Sequence, residues 1–250
     1  MDLQDLKYVR LGIEPEKYGR VITFVDYGNV NYWYDKDERD AENNILPEGS
    51  KLIVDIKKLA VFVSLFSTQK RFYYGWNPRN KTNWHLVIKA EQCGFIKITK
   101  PMQFIRHKVP PAVISRGGRK TQRDNDGAFI EIPKSNFDVE ISVDAIRMVK
   151  EYDTLCFFSG DSDFAYLARF LKKQDKKIIV VAAGQVFHTL REVADVYINA
   201  QQIKADVSSI KETAPLAGRG LEIGSASGGQ GSHRSDYTSS IAGKIPQNKK

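Results

Sequence analysis

Cysteine and histidine are scarce in this chain of 250 residues: two Cys and four His. Cys93 and Cys156 lie in apolar surroundings without paired spacing, which excludes a zinc site or a disulfide framework and suits a reduced, cytoplasmic protein. His85, His107, His188 and His233 are scattered and read as structural or surface residues rather than a general base. No run approaches the ~18 apolar residues of a membrane span, so no membrane is expected. The opening Met1-Asp2-Leu3-Gln4-Asp5 lacks a basic region leading into an apolar one, so no secretory signal is read. A Gly-x4-Gly-Lys-Ser/Thr loop is missing too, which argues against an NTPase. Gly117-Gly118 stands between basic residues but opens no apolar helix, and reads as flexibility.

Acids are missing from one long segment. Residues 56–123 hold fifteen Lys and Arg against the single acid Glu91, a net +14. The remainder carries 23 basic and 29 acidic residues, a net −6. Charge separated in this way suggests a positive surface beside a negative site. A solvated basic face is the plainer alternative. The interleaved Tyr73, Tyr74, Trp76, Trp84 and Phe104 favour a nucleic-acid surface, because bases stack on rings, although some of these rings will be core.

What is present is a strand–helix alternation. With 42% apolar residues the chain can build a packed core. Strands are expected at 21–25, 71–76, 95–98, 154–158, 177–181 and 196–198, with helices over 51–66, 81–92, 138–151, 162–173 and 187–194. The alternation implies a mostly parallel sheet covered by helices on both faces. Residues 1–19 read as a polar lead-in and 20–205 as the domain. An insert at 101–135 is rich in Pro and Gly, with a basic tip of Arg116, Arg119, Lys120 and Arg123. From 206 to 250 the composition turns to Gly, Ser and Lys and predicts disorder.

Carboxylates stand where strands end or helices begin. Asp26 closes the first strand, Asp138 opens a helix with Asp144 six residues on, and Asp161-Ser162-Asp163 follows the strand 154–158. In a parallel sheet ligands sit beyond the carboxyl ends of the strands, so Asp26 and Asp161 are candidates to face one another. Converging carboxylates repel unless a hard cation such as Mg²⁺ or Mn²⁺ neutralises them. Each also has a structural alternative. Asp161, Ser162 or Asp163 could cap the helix that follows. Asp144 lies about 600° around the helix from Asp138, so it joins the group only if Asp138 sits at the helix start with its side chain turned back.

The motifs in this order resemble a known family. Phe24-Val25-Asp26-Tyr27-Gly28-Asn29, Phe137-Asp138-Val139-Glu140-Ile141-Ser142-Val143-Asp144 and Ser159-Gly160-Asp161-Ser162-Asp163-Phe164 are similar to the three signature stretches of the NYN domain. The likeness is to its LabA-like branch within the PIN-like nuclease superfamily, and covers about residues 20–200. It implies a Rossmann-like three-layer α/β/α fold and a Mg²⁺- or Mn²⁺-dependent ribonuclease. On that basis Asp26, Asp138, Asp161 and Asp163 carry over as catalytic metal-site acids, with Asp144 beside them. Asn29 and Ser159 carry over as supporting residues. Tyr27 stands where many relatives have Gly, which predicts a crowded first loop. The insert is not a hallmark of the family.

The resulting expectation is hydrolysis of a phosphodiester bond, of RNA in preference to DNA. Arg116, Arg119, Lys120 and Arg123 would clamp the backbone, and Tyr32, Trp33 and Tyr34 would stack a base or pack as helix residues. The alternatives are a nucleic-acid-binding module that does not cleave, and a small-substrate metal phosphohydrolase. The oligomeric state is open, with a homo-oligomer compatible.

Overall fold

The computed structural model describes residues 11–79, 81, 83–108, 122–124, 127–184 and 188–212. All of these fall in one unit, Met1–Ala214. In chain order the first half holds α1 (Pro15–Tyr18), β1 (Val21–Asp26), α2 (Tyr27–Val30), β2 (Ser50–Val54), α3 (Ile56–Ser64), β3 (Gln69–Trp76), α4 (Trp84–Gln92) and β4 (Ile96–Pro101). The insert supplies β5 (Gln103–Lys108), β6 (Gln122–Asp124) and β7 (Gly127–Lys134). The second half holds α5 (Asp138–Arg147), β8 (Thr154–Phe158), α6 (Phe164–Lys172), β9 (Lys177–Ala182), α7 (His188–Val193), β10 (Val196–Asn199), α8 (Lys204–Val207) and β11 (Ser208–Glu212).

Six strands form one parallel sheet in the order β10-β9-β8-β1-β3-β4. The chain starts in the middle, works outward to β4, then returns beside β1 with β8 and works outward to β10. This is the doubly wound order, and its reversal point lies between β1 and β8. Both strands read as unbroken buried runs, as a sheet covered on two faces requires. Alternation along β8 divides the core. Cys156 and Phe158 pack with α3 and α4, while Leu155 and Phe157 pack with α5, α6 and α7. The expected α/β/α architecture is therefore the observed one.

Several boundaries differ from the sequence expectation. Residues 50–54 are a strand, not the start of a helix. Leu52 and Val54 turn inward at period two, and Asp55 accepts hydrogen bonds from the N–H groups of Lys57 (2.7 Å) and Lys58 (3.2 Å), which starts α3 afresh. The partner of β2 is β11, antiparallel to it, so ordered structure runs to Glu212, past the expected limit of 205. Within the lead-in, Ile13 and Tyr18 are buried, so residues 11–19 pack on the domain. The rest of the lead-in and tail, 1–10 and 213–250, lies outside the described residues. The described residues of the insert form a three-stranded antiparallel sheet, β5-β7-β6. It comes close to β3 at Gly75, where a Cβ would collide with Ser135.

Candidate functional site

Beyond the carboxyl ends of β1 and β8 lies a cavity of 590 Å³. Asp26, Asn29, Tyr32, Lys134, Asp138, Asp161 and Asp163 are among the residues lining it. One carboxylate oxygen each from Asp138, Asp161 and Asp163 lies within 4.8 Å of the others. Different elements deliver them: Asp138 from the first position of α5, the other two from the loop between β8 and α6.

The loop geometry decides between capping and chemistry. Asp163 occupies the N-cap position of α6 but its side chain makes no capping hydrogen bond. Asp161 Oδ1 accepts from the Asp163 N–H at 3.0 Å, a turn-fixing contact that occupies one oxygen. Asp138 is fixed from behind, its N–H donating to Asn136 Oδ1 at 2.8 Å.

Asp26 lies half-buried in the same cavity. Ser159 Oγ–H donates to its Oδ2 at 3.3 Å, and Ser159 Oγ accepts from the Asp161 N–H at 3.3 Å. Asn29 ties the first loop to the second by accepting from the Gly160 N–H at 3.3 Å. Burial pushes the Asp26 carboxyl up from 3.8 to about 6; the Ser159 contact opposes this, and the charges of Asp138 and Asp161 add to it. Asp138 is raised as well, first by burial and then by the charges of Asp161 and Asp163, while Lys134 works the other way. The donor set fits a divalent cation such as Mg²⁺ or Mn²⁺: three hard carboxylate oxygens from two elements, close enough to share one ion, with a fourth carboxylate, Asp26, lining the same cavity.

Asp144 does not belong to this group. Six residues beyond Asp138 it has moved about 9 Å along α5 and onto another face. There it accepts from Arg71 Nη2 and from Tyr73 O–H, each at 2.9 Å, in a mostly buried ion pair. Trp33 is also corrected. It is buried and stacks on Phe158 with ring centroids 5.8 Å apart, so it is core. Tyr34 is core too, its O–H donating to the Ala200 carbonyl at 2.8 Å. Tyr32 remains, 65% exposed on the cavity wall. Tyr27 does not crowd the loop: its ring turns into the core against Phe72 at 4.6 Å. Arg116, Arg119 and Lys120 lie outside the described residues, and Arg123 is described only as part of β6.

Sequence reasoning missed Lys134 and Asn136. Their one signal is position, in the polar stretch that leads straight into Asp138. The basic segment is also less free than its composition suggests. Arg71, Lys89 and Lys100 each take an acid from outside it, namely Asp144, Asp55 and Glu140, and Glu131 takes both Arg79 and Arg106. Among the rings, Tyr73 and Tyr74 are buried in the core.

Known proteins resemble this chain. The family model for the NYN domain matches residues 20–201. The low amplitude and bright protein LabA of Synechococcus elongatus is 31% identical over 175 residues, covering 64% of this chain and 92% of its own. An uncharacterised protein of Methanocaldococcus jannaschii is 36% identical over 77 residues, which is 30% of this chain and 32% of that one. A solved structure, a Vibrio parahaemolyticus protein of unknown function, aligns with a TM-score of 0.51 at 20% identity. That alignment covers 79% of this chain and 100% of the other, and speaks to the fold alone. Among the described residues no helix is long and apolar enough to cross a membrane.

Proposed function

The chain belongs to the NYN domain family, in the LabA-like branch of the PIN-like nucleases, and from that premise we propose that it hydrolyses phosphodiester bonds in a divalent-metal-dependent reaction, with RNA preferred to DNA. The observation that carries this reading is the convergence of Asp138, Asp161 and Asp163 within 4.8 Å, beside a half-buried Asp26, at the reversal point of a parallel sheet.

Asp138, Asp161 and Asp163 would hold Mg²⁺ or Mn²⁺, with Asp26 completing the set. When bound, the cation supplies Lewis acidity to a water and to the phosphate oxygens. The protein's own residues do the rest. Ser159 and Asn29 hold the β1 and β8 loops in register, so that acids from two strands present to one point. Lys134 places a positive charge on the cavity wall, where a substrate phosphate would otherwise meet only carboxylates. Asp26 must release its proton for the cation to bind, so loading improves as pH rises through about 6, and the raised carboxyl of Asp138 acts in the same direction.

The test is direct. End-labelled single-stranded RNA, structured RNA and DNA are incubated with the protein in Mn²⁺, Mg²⁺ or EDTA, beside an Asp161→Asn variant. Metal-dependent cleavage of RNA that falls at least about a hundredfold in the variant is expected, beyond the 10–100-fold typical of losing an outer partner of a metal site. Salt-sensitive binding with no cleavage in any metal would replace this reading with a non-cleaving binding module. Turnover of mononucleotides alone would replace it with a small-substrate phosphohydrolase.

A further inference from the structure

The acidic cavity does not stand alone. A second cavity of 530 Å³ lies against the insert sheet, and Tyr32 and Pro133 line both. Its volume is inside the range of about 300–1,000 Å³ common to small-molecule sites. Its lining is of a different kind. The Arg79 guanidinium lies over the Phe104 ring, 3.8 Å from the centroid. The same guanidinium is ion-paired to Glu131, which also pairs with Arg106 at 3.3 Å. Gln122 of β6 offers an amide at the wall.

This chemistry selects its ligand. A cation already paired with a carboxylate is a poor phosphate clamp but keeps its flat face. The outer face of Arg79, backed by the Phe104 ring, and the exposed Tyr32 therefore present planar surfaces with little net charge, next to one amide able to donate and accept. Unpaired nucleobases are recognised in this way, by stacking on rings and guanidinium planes with a polar edge read by a side chain. A base inside a duplex has both faces covered and cannot enter.

We propose that the insert sheet and Tyr32 form a subsite for an unpaired nucleobase next to the acidic centre, which restricts the substrate to single-stranded or looped segments. The inference rests on the nucleic-acid reading above, but not on cleavage. Any strand reaching the acids from this side passes Tyr32, so the subsite would set which nucleotide lies over the acids.

The experiment uses the full chain in EDTA, which withholds the cation that the proposed cleavage needs. Single-stranded RNA carrying 2-aminopurine at successive positions is titrated with protein, and fluorescence quenching reports stacking. Quenching at one or two positions is expected, with none for the same probe in a duplex. Tyr32→Ala should weaken single-strand binding roughly five- to a hundredfold, the range of one lost base–aromatic stack, and Phe104→Leu, which removes the ring that holds the Arg79 plane, should weaken it by a smaller factor. Phe104→Leu keeps an apolar side chain under Arg79, and Tyr32 is exposed, so an unchanged melting temperature should accompany both. The slope of affinity against salt should not change, because no phosphate contact is removed. Bound RNA that shows no quenching at any position would overturn the subsite, as would variants that bind like wild type. Metal-dependent cleavage that persists in that case would leave the nuclease reading intact. Quenching without cleavage in any metal would do the reverse, and absence of RNA binding would remove both.

Discussion

Two positions along α5 carry the same residue type in opposite circumstances. Asp138, at its first position, faces Asp161 and Asp163 across a cavity, with no Lys or Arg in hydrogen-bond contact with any of the three among the described residues. Asp144, six residues on, has the Arg71 guanidinium and the Tyr73 hydroxyl on one oxygen. Membership of one motif stretch does not separate the two; compensation does. Carboxylates answered by an arginine contribute to the fold, whereas carboxylates left facing each other cost stability and hold a place for a cation.

The largest effect should come from breaking the compensated pair. Arg71→Leu leaves Asp144 mostly buried with only the exposed Arg147, 3.9 Å away, in place of its close partner, and should cost about 2–4 kcal/mol, toward the lower side of what removing one partner of a buried pair costs. Urea denaturation of the metal-free protein measures it. Adding Asp144→Leu to that variant should restore most of the loss, because no orphaned charge remains. Asp144→Asn, where folded, should cleave at close to the wild-type rate. A hundredfold loss there would return Asp144 to the centre and undo the comparison.

The uncompensated acids should respond in the opposite direction. The folded-state pKa of Asp26 is raised from 3.8 to about 6, mainly by burial. Between these values the folded state holds a proton that the unfolded state has released, so stability falls as pH rises through the window. Above pH 6 the whole cost is in place, of order 2–3 kcal/mol after allowance for partial exposure. Asp26→Asn should therefore raise the melting temperature of the metal-free protein by about 4–10 °C at pH 7, the gain shrinking toward zero near pH 4. The same variant should lose cleavage. Mn²⁺ should stabilise the wild type more at pH 7 than at pH 5, and Asp26→Asn much less at either. A variant less stable than wild type at pH 7 would mean that Asp26 is satisfied by its hydrogen bonds and is no strained acid.

How much of this was legible in sequence follows from the range of each interaction. β1 and β8 announce themselves as apolar runs ending in acids, and the doubly wound order follows from strand–helix alternation. The loop Ser159–Asp163 is local, so its motif carries its geometry. Asp144 was not legible, because its partner Arg71 lies 73 residues away. In sequence β2 reads as helix because its partner, β11, is more than 150 residues on, and Leu52 and Val54 fit either period over so short a window. Tyr32 and Trp33 are adjacent in sequence, and only the turn between them sends one ring to the cavity and the other onto Phe158. The net +14 of residues 56–123 counted charges that the fold answers from elsewhere, Glu131 and Glu140 among them.

Glu131 gives the smallest and most selective test of the comparison. It sits on β7 between two arginines, and the Arg79 guanidinium holds its carboxyl below the usual carboxylate range. It is thus the insert's counterpart of Asp144, but both of its arginines are more than half exposed, so little stability should depend on the pairing. Glu131→Gln keeps the shape of the side chain and the stacked geometry of Arg79 over Phe104, but releases one unit of positive charge beside the cavity. Binding of single-stranded RNA at low salt should tighten modestly. Its logarithmic salt dependence should steepen by about 0.7, the value for one further phosphate contact on a single strand. The position at which 2-aminopurine is quenched should stay where it is. If the quenched position moved while the salt slope held, Glu131 would orient the base directly, and neutralising the arginines would be incidental to its place in the site.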